Sequence, residues 1–328
     1  MSDNVVYYTL HLFAGAGGGL LTDKYLGFRP IGAVEINPYC RRVLLQRQLD
    51  GSLPAFPVWD DVTTFRADNP DTREYIEQLR TVRDRLCISG GFPCQDISAA
   101  GKGVGITGKR SGLWREYARI VSEVRPAYVF VENSPDLIRR GADIVSADVS
   151  SLGYNFAWGI ISAADVGARH IRRRFWGLAV RDDTDTKSSR RETDCNDCNP
   201  GAQQLRPAQL LQCIPDSLRK WTEDRLTSSR ARQELKRCNR GGKETDIIRQ
   251  RRQAESRLGG MANGISDWMD ATLRGEYWRA DELGLPRIVK HSNNRRQRLM
   301  AIGNAQVPLC AAVAFVKLLD ILRRYNEQ

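Results

Sequence analysis

The chain has 328 residues, of which 41% are hydrophobic and 8% aromatic, enough to bury a sizeable core as one large domain or two modest ones, so wholesale disorder is excluded. Fifty Lys and Arg against 39 Asp and Glu leave a net charge of +11, which points toward a polyanion, with nucleic acid ahead of a membrane surface. No apolar run approaches the roughly 18 residues of a membrane span, the start MSDNVVYYTLHLF lacks signal-peptide features, and eight thinly spread cysteines do not make a disulfide framework, so a soluble, cytoplasmic protein with free thiols is expected.

From residue 5 to 181, β-type runs (VVYYTLHLF, GAVEI, RLCISG, AYVFVEN, FAWGIISAADV, RRFWGLAV) alternate with helical periods expected at 37–48, 71–82 and 111–124. This alternation predicts an α/β fold with a parallel sheet covered on both faces. The turn after the first run is Phe13-Ala14-Gly15-Ala16-Gly17-Gly18-Gly19-Leu20. Its glycines let a ligand approach backbone N–H groups at a helix start, and Glu35, 20 residues after Gly15, ends the next run, where an acid can accept from ribose hydroxyls. An adenosine-containing ligand fits this pattern. So does plain strand–helix packing, with Glu35 a surface acid. Asp60-Asp61-Val62 offers a carboxylate to an adenine amino group, or simply a turn acid.

Gly90-Gly91-Phe92-Pro93-Cys94-Gln95 directly follows the apolar run RLCIS, and a cysteine at the carboxyl end of a parallel strand sits where such sheets place their ligands. A thiolate is a strong nucleophile, so Cys94 is the candidate, whereas Cys87 and Cys310 read as inert buried thiols. The following DISAAGKGVGITGKRSG carries Ser98, Lys102, Lys109 and Arg110 among glycines, a composition suited to a mobile lid over phosphates or to an ordinary connection. Glu132 in Val131-Glu132-Asn133 again falls at a strand end, where partial burial would let it hold a proton near neutral pH. In Arg169-His170-Ile171-Arg172-Arg173-Arg174-Phe175 the period of two puts Arg172 and Arg174 on one strand face, suited to a base carbonyl, a phosphate or a solvated edge.

Residues 187–257 differ in kind: 17 basic and 10 acidic side chains give a net +7 with few aromatics, which reads as an inserted domain, a tether or a disordered excursion. We expect it to be mobile; if the polyanion is a nucleic acid, base readout would fall to the piece around Trp268, Tyr277 and Trp278 and to the Cys94 loop, and those aromatics suit a small-domain core equally well. Cys195, Cys198, Cys213 and Cys238 close no familiar second metal pair, so no metal site is expected. The final run, GNAQVPLCAAVAFVKLLDIL, reads as a helix with Asn304 near its start and Pro308 in its first turn.

In order and spacing these pieces resemble the DNA (cytosine-5) methyltransferase family over residues 9–181 and 299–322. FAGAGGG, VEINPYC and Asp61-Val62 are similar to its cofactor motifs, GGFPCQDIS to its Pro-Cys-Gln motif, VEN to Glu-Asn-Val, GARHIRRRFW to Gln-x-Arg-x-Arg and GNAQVP to its late Gly-Asn motif. His170 stands where the family often has Gln, and its usual Arg-Leu-Thr…Glu element is not found.

The resemblance implies a Rossmann-like S-adenosylmethionine-dependent methyltransferase sheet with a smaller inserted recognition region. Residues 1–182 would form the catalytic domain, 183–298 the variable recognition region, and 299–328 a returning helix. It implies Cys94 as the nucleophile at cytosine C6, Glu132 on N3 and the 4-amino group, Arg174 on O2, and Arg172 supporting the catalytic loop or Glu132. Phe13 would meet the adenine, Glu35 the ribose, Asp61 the adenine amino group and Leu113 the ring. Gly15, Gly17, Asn304 and Ala305 would surround the methionine end, with Ala14, Gly18, Ile36, Val62 and Pro93 also lining the pocket. Ser98, Lys102 and Arg110 would contact double-stranded DNA, with the target base flipped out. A monomer, a cognate restriction endonuclease as possible companion and no membrane partner complete the expectation. A tRNA cytosine-5 methyltransferase on the same scaffold is the main alternative. A nicotinamide-dependent oxidoreductase would explain the glycine loop and Glu35 but not Pro-Cys-Gln or Glu-Asn.

Overall fold

The computed structural model describes residues 5–93, 113–168, 170–182, 214–216, 218–220, 222 and 294–326. Among these, seven strands, β1 (Tyr8–Leu12), β2 (Arg29–Val34), β3 (Val58–Trp59), β4 (Leu86–Gly91), β5 (Tyr128–Asn133), β6 (Tyr154–Ser162) and β7 (Arg173–Arg181), form one sheet in the order β3-β2-β1-β4-β5-β7-β6. The strand order reverses between β1 and β4, and in open α/β sheets the crevice outside the carboxyl ends at such a point is where ligands bind. The first five strands are mutually parallel, but β7 runs antiparallel to both β5 and β6, so the sheet is mixed where the sequence predicted it parallel. Only residues 163–172 join β6 to β7, too few for the helical crossover that a parallel pair requires.

The helices α1 (Gly18–Leu26), α2 (Pro38–Leu49), α3 (Pro70–Thr81), α4 (Leu113–Val124), α5 (Leu137–Arg140), α6 (Ala142–Ser151), α7 (Arg295–Asn304) and α8 (Pro308–Asn326) cover the sheet. Expectation and structure agree within about two residues for α2, α3 and the described part of α4, and local chemistry explains why. Asn37 and Asn69 cap α2 and α3 by accepting from backbone N–H groups of the first turn, each followed by proline at the first helical position. Gly27, at φ 72°, ends α1 in a left-handed conformation that a side chain would disfavour.

Alternation along β5 distributes the core. Tyr128 and Phe130 join a cluster with Trp176 and the apolar face of α8, whereas Val129 and Val131 join a second cluster with Ile76 and Leu79 of α3 and Trp114, Tyr117 and Ile120 of α4. The C-terminal helices contain an 18-residue window apolar enough to cross a membrane, of mean hydropathy 1.8, which departs from the expectation of no such run. That window is 56% buried, and α8 packs on α1, β6 and β7 as a core helix does. Ile214, just before a helical turn that starts from the Pro215 carbonyl, and Leu218 within that turn are buried in the first cluster, so the polar 187–257 stretch contributes to the core at this point. Apart from 214–216, 218–220 and 222, that stretch, with the Cys195/Cys198 pair in it, lies outside the described residues, as do Trp268, Tyr277 and Trp278.

Candidate active site

The crevice is built from the carboxyl ends of β1 to β5, joined by the amino end of β7, which its antiparallel direction brings to the same edge. After β1 the backbone turns through Phe13 (φ 54°), Gly15 (φ 56°) and Gly17 (φ 97°) before α1 starts at Gly18. Glu35, just past β2 and buried, braces this turn: Gly15 N donates to its Oε2 at 2.6 Å and Asn37 N to its Oε1 at 2.7 Å. A Cβ on Gly15 would meet nothing within 4 Å, so open space lies above the loop. Ile36, beside Glu35, is 69% exposed, an apolar side chain left available at the rim. Phe13 stacks on Tyr117 with ring centroids 6.4 Å apart.

Past β3, Asp61 Oδ1 accepts from Thr63 N at 2.9 Å and from Thr63 Oγ1 at 2.8 Å, which fixes a tight turn over a buried Val62. Its neighbour Asp60 is exposed. Leu113 opens α4 and packs at the margin of the second core cluster.

Glu132, near the end of β5, is only 8% exposed and pairs with Arg174 Nε at 2.9 Å. Burial raises its pKa above the usual carboxylate value, while Arg174 and then Arg172 pull it down, and burial outweighs them. The neighbouring strand makes room for this carboxylate: Gly91 lies opposite Glu132 in the β4–β5 register, and a Cβ there would overlap Glu132 Oε2. Gly90 is required for a different reason, since its Cβ would run into the carbonyl oxygen of Leu12. Asn133 Nδ2 donates to the carbonyl of Phe92 at 3.1 Å, tying β5 to the chain just before Pro93 and Cys94.

Arg172 departs from expectation. β7 begins at Arg173, and Arg172 sits outside it at φ 26°, a left-handed value unusual for a non-glycine residue, so the period of two does not extend to it. Its guanidinium still lies within electrostatic reach of Glu132, and its Nη2 donates to the carbonyls of Gly303 at 2.8 Å and Ala305 at 2.5 Å. Asn304 closes α7 rather than opening the last helix, which starts at Pro308. The 303–306 turn also meets α1: a Cβ on Gly18 would come within 2.7 Å of the Gln306 carbonyl, and Thr22 Oγ1 lies 3.4 Å from the carbonyl of Pro308.

Phe13, Ala14, Gly15, Gly17, Gly18, Glu35, Ile36, Asp61, Val62, Pro93, Leu113, Glu132, Arg172, Arg174, Asn304 and Ala305 are therefore all described, and all lie on this edge or in the turns that line it. Cys94, Ser98, Lys102 and Arg110 fall outside the described residues. The sequence reading passed over Gly91, Asn133 and Arg119. The adjacent glycines and the Asn in VEN were visible as letters, but their tasks are contacts between strands that no spacing rule reports.

A family model described as C-5 cytosine-specific DNA methylase matches residues 7–305. The chain is 34% identical over 180 residues to the type II methyltransferase M.CviJI of Paramecium bursaria Chlorella virus IL3A, covering 54% of this chain and 44% of that protein. It is 30% identical over 178 residues to the type II methyltransferase M.HhaI of Haemophilus parahaemolyticus, covering 53% and 49% respectively. The matched segments thus span less than half the length of these relatives. Among solved structures, the Dnmt2 methyltransferase of S. pombe has a TM-score of 0.50 at 14% identity, covering 97% of this chain and 99% of that one, a likeness of fold.

Proposed function

Because this chain belongs to the C-5 cytosine-specific DNA methylase family, we propose that it transfers a methyl group from S-adenosylmethionine to C5 of a cytosine flipped out of duplex DNA. The observation that carries the reading is Glu132, buried beside Arg174 on the strand next to the one that leads into Pro93 and Cys94, with its pKa raised.

The crevice suits the cofactor. Open space over Gly15, an exposed Ile36 and half-buried Phe13 offer apolar walls and close backbone approach, and the carboxylates of Glu35 and Asp61 suit hydroxyl and amino donors. Phe13, Ile36, Val62 and Leu113 would hold the adenine, Asp61 its amino group and Glu35 the ribose, with Ala14, Gly15, Gly17, Gly18, Asn304 and Ala305 around the methionine end and Pro93 on the base side. Bound there, S-adenosylmethionine supplies an electrophilic sulfonium methyl to C5 once the ring is activated.

Activation is the work of this chain's own residues. Cys94 Sγ, as thiolate, bonds to C6, and the C5–C6 π pair moves into the ring as charge accumulates toward N3 and O2. Glu132, carrying the proton that burial favours, donates to N3 and accepts from the 4-amino group, and Arg174 holds O2. After methylation the C5 proton leaves to solvent, the C6–S bond breaks toward sulfur, the N3 proton returns to Glu132, and the C5–C6 double bond is restored. Ser98, Lys102 and Arg110 contact the backbone of the DNA from which the base is drawn. A DNA substrate is consistent with a cytoplasmic monomer, and the type II names of the relatives suggest a restriction endonuclease as companion.

The test is covalent trapping. The parent protein should form a stable adduct with 5-fluorocytosine DNA in the presence of cofactor, Cys94→Ser should form none, and DNA from expressing cells should carry 5-methylcytosine. Transfer to tRNA but not to duplex DNA in parallel labelled-cofactor assays would overturn the substrate assignment while leaving the chemistry in place.

A further inference from the structure

Helix α4 holds two walls of the crevice at once. Its Tyr117 stacks under Phe13 and places its hydroxyl 3.0 and 3.1 Å from the carbonyl oxygens of Ile88 and Phe130, which seats the helix against β4 and β5. Two residues on, Arg119 reaches the opposite wall. Its Nη2 donates to the carbonyls of Val62 at 3.0 Å and Phe65 at 3.1 Å, while its Nε donates to Glu116 at 2.8 Å and its Nη1 to Glu123 at 2.7 Å. Glu123 continues the brace by accepting from Ala67 N at 3.0 Å.

One planar guanidinium therefore spends its donors on two carboxylates of its own helix and two carbonyls of the turn that carries Asp61. We propose that Arg119 is a positioning residue that sets the Asp61–Phe65 turn, and through it recognition of the adenine amino group of the bound cofactor. This rests on the cofactor reading given above. The physical case is that Asp61 has no rigid strand beneath it. β3 ends at Trp59, and the turn's shape is held internally by Thr63 and by the Thr64 and Phe65 N–H groups on the Asp61 carbonyl, and from outside by Asn69 Nδ2 on the Thr64 carbonyl and by Arg119, which alone of these ties it to α4 through its own side chain. The two carboxylates fix the guanidinium plane, so the carbonyls of Val62 and Phe65 are held in place rather than merely attracted.

Calorimetry with two ligands tests the assignment: S-adenosylhomocysteine and S-inosylhomocysteine, in which a ring carbonyl replaces the 6-amino group. The parent protein should prefer the adenosyl compound by about tenfold or more, as a site built to accept from an amino group rejects an analogue lacking it. Arg119→Ala should weaken the adenosyl compound by about tenfold with little change for the inosyl one, so that the preference falls toward unity. Arg119→Lys keeps the positive charge facing Glu116 and Glu123 but cannot span both carbonyls, and should lie between. In turnover, both variants should raise KM for S-adenosylmethionine and keep kcat at saturating cofactor within about twofold. A merely structural role predicts parallel loss of both ligands, and that result, or an unchanged preference in a folded Arg119→Lys, overturns the proposal. Failure of the underlying reading has a separate signature: the parent protein binds neither ligand, or Asp61→Ala keeps the full preference, and the proposal then falls with its premise.

Discussion

Glu132 is an acid that the fold withdraws from water and then surrounds with guanidinium groups. Burial is the larger influence, so its pKa in the folded chain lies above its unfolded value. Stability from this group is thus fully present below about pH 4.5 and is lost as pH rises through the raised folded value. Glu132→Gln does not titrate, so its melting temperature relative to the parent should climb with pH across that window and then level off. A constant difference would show that Glu132 does not titrate abnormally. The same substitution should cost orders of magnitude in methyl transfer, because an amide cannot protonate N3. Gly91→Ala probes the site from the other side. The new methyl group must displace the Glu132 carboxylate, so we expect kcat to fall by about tenfold or more with the fold retained, and equal kcat would show that the carboxylate has room to move. The described cysteines are the chemical opposite of a nucleophile. Burial pushes Cys40 to about 11, Cys310 to about 12 and Cys87 well above its ordinary value. At pH 8, native-state alkylation read by mass spectrometry should leave these three unlabelled until the protein is unfolded.

Between elements, the most consequential seam is the one joining α1, the 303–306 turn and β7. Gly18 packs its α-carbon against the Gln306 backbone, and Arg172 holds the carbonyls on either side of Asn304, so a turn assigned to the cofactor is pinned by a residue beside Glu132. Gly18→Ala should cost about 1–3 kcal/mol, the usual penalty for overpacking against backbone, and should weaken S-adenosylhomocysteine binding; a neutral effect on both would show that the seam is loose. Behind the glycine loop, Thr9 Oγ1 donates to Asp23 Oδ2 at 2.6 Å and His11 Nε2 lies 2.9 Å from the same oxygen, all three side chains being buried. This polar knot ties β1 to α1 at the place where the loop leaves the strand. His11→Leu removes one of the partners of a buried carboxylate and should lower stability by about 1–3 kcal/mol in denaturant titration.

At the scale of the whole molecule, charge and sheet work on different ranges. A net +11 acts over roughly a Debye length, about 8 Å at physiological salt, and gives attraction to a polyanion without base preference. DNA affinity should therefore fall log-linearly with salt, and Lys102→Ala or Arg110→Ala should weaken all duplexes about equally and flatten the slope by about one unit each. A shift in the methylated sequence would instead make those residues base readers. The buried Ile214 and Leu218 change one expectation about the basic stretch. Replacing the whole of 187–257 by a linker would strip them from the core, so Ile214→Ala and Leu218→Ala should each cost about 2–5 kcal/mol.

Local chemistry in the sequence was sufficient for much of this protein. The glycine loop, the helical periods at 37–48 and 71–82, the apolar runs of six strands, and the Pro-Cys-Gln, Glu-Asn and Arg-x-Arg motifs are all short-range patterns, because backbone conformation and residue chemistry are set within a few neighbours. The direction of β7 was not legible, nor was the two-residue β3, since pairing depends on connection length and on partners distant in the chain. The reach of Arg172 across more than 130 residues to Gly303 and Ala305, the overlap that reserves Gly91 for Glu132, and the hold of Arg119 on Val62 and Phe65 likewise exist only once the sheet has formed. Sequence named the candidates for the proposed reaction. Tertiary structure decided which of them stand beside each other, how dry they are and what holds them, because desolvation and hydrogen-bond geometry belong to positions in space rather than to positions in the chain.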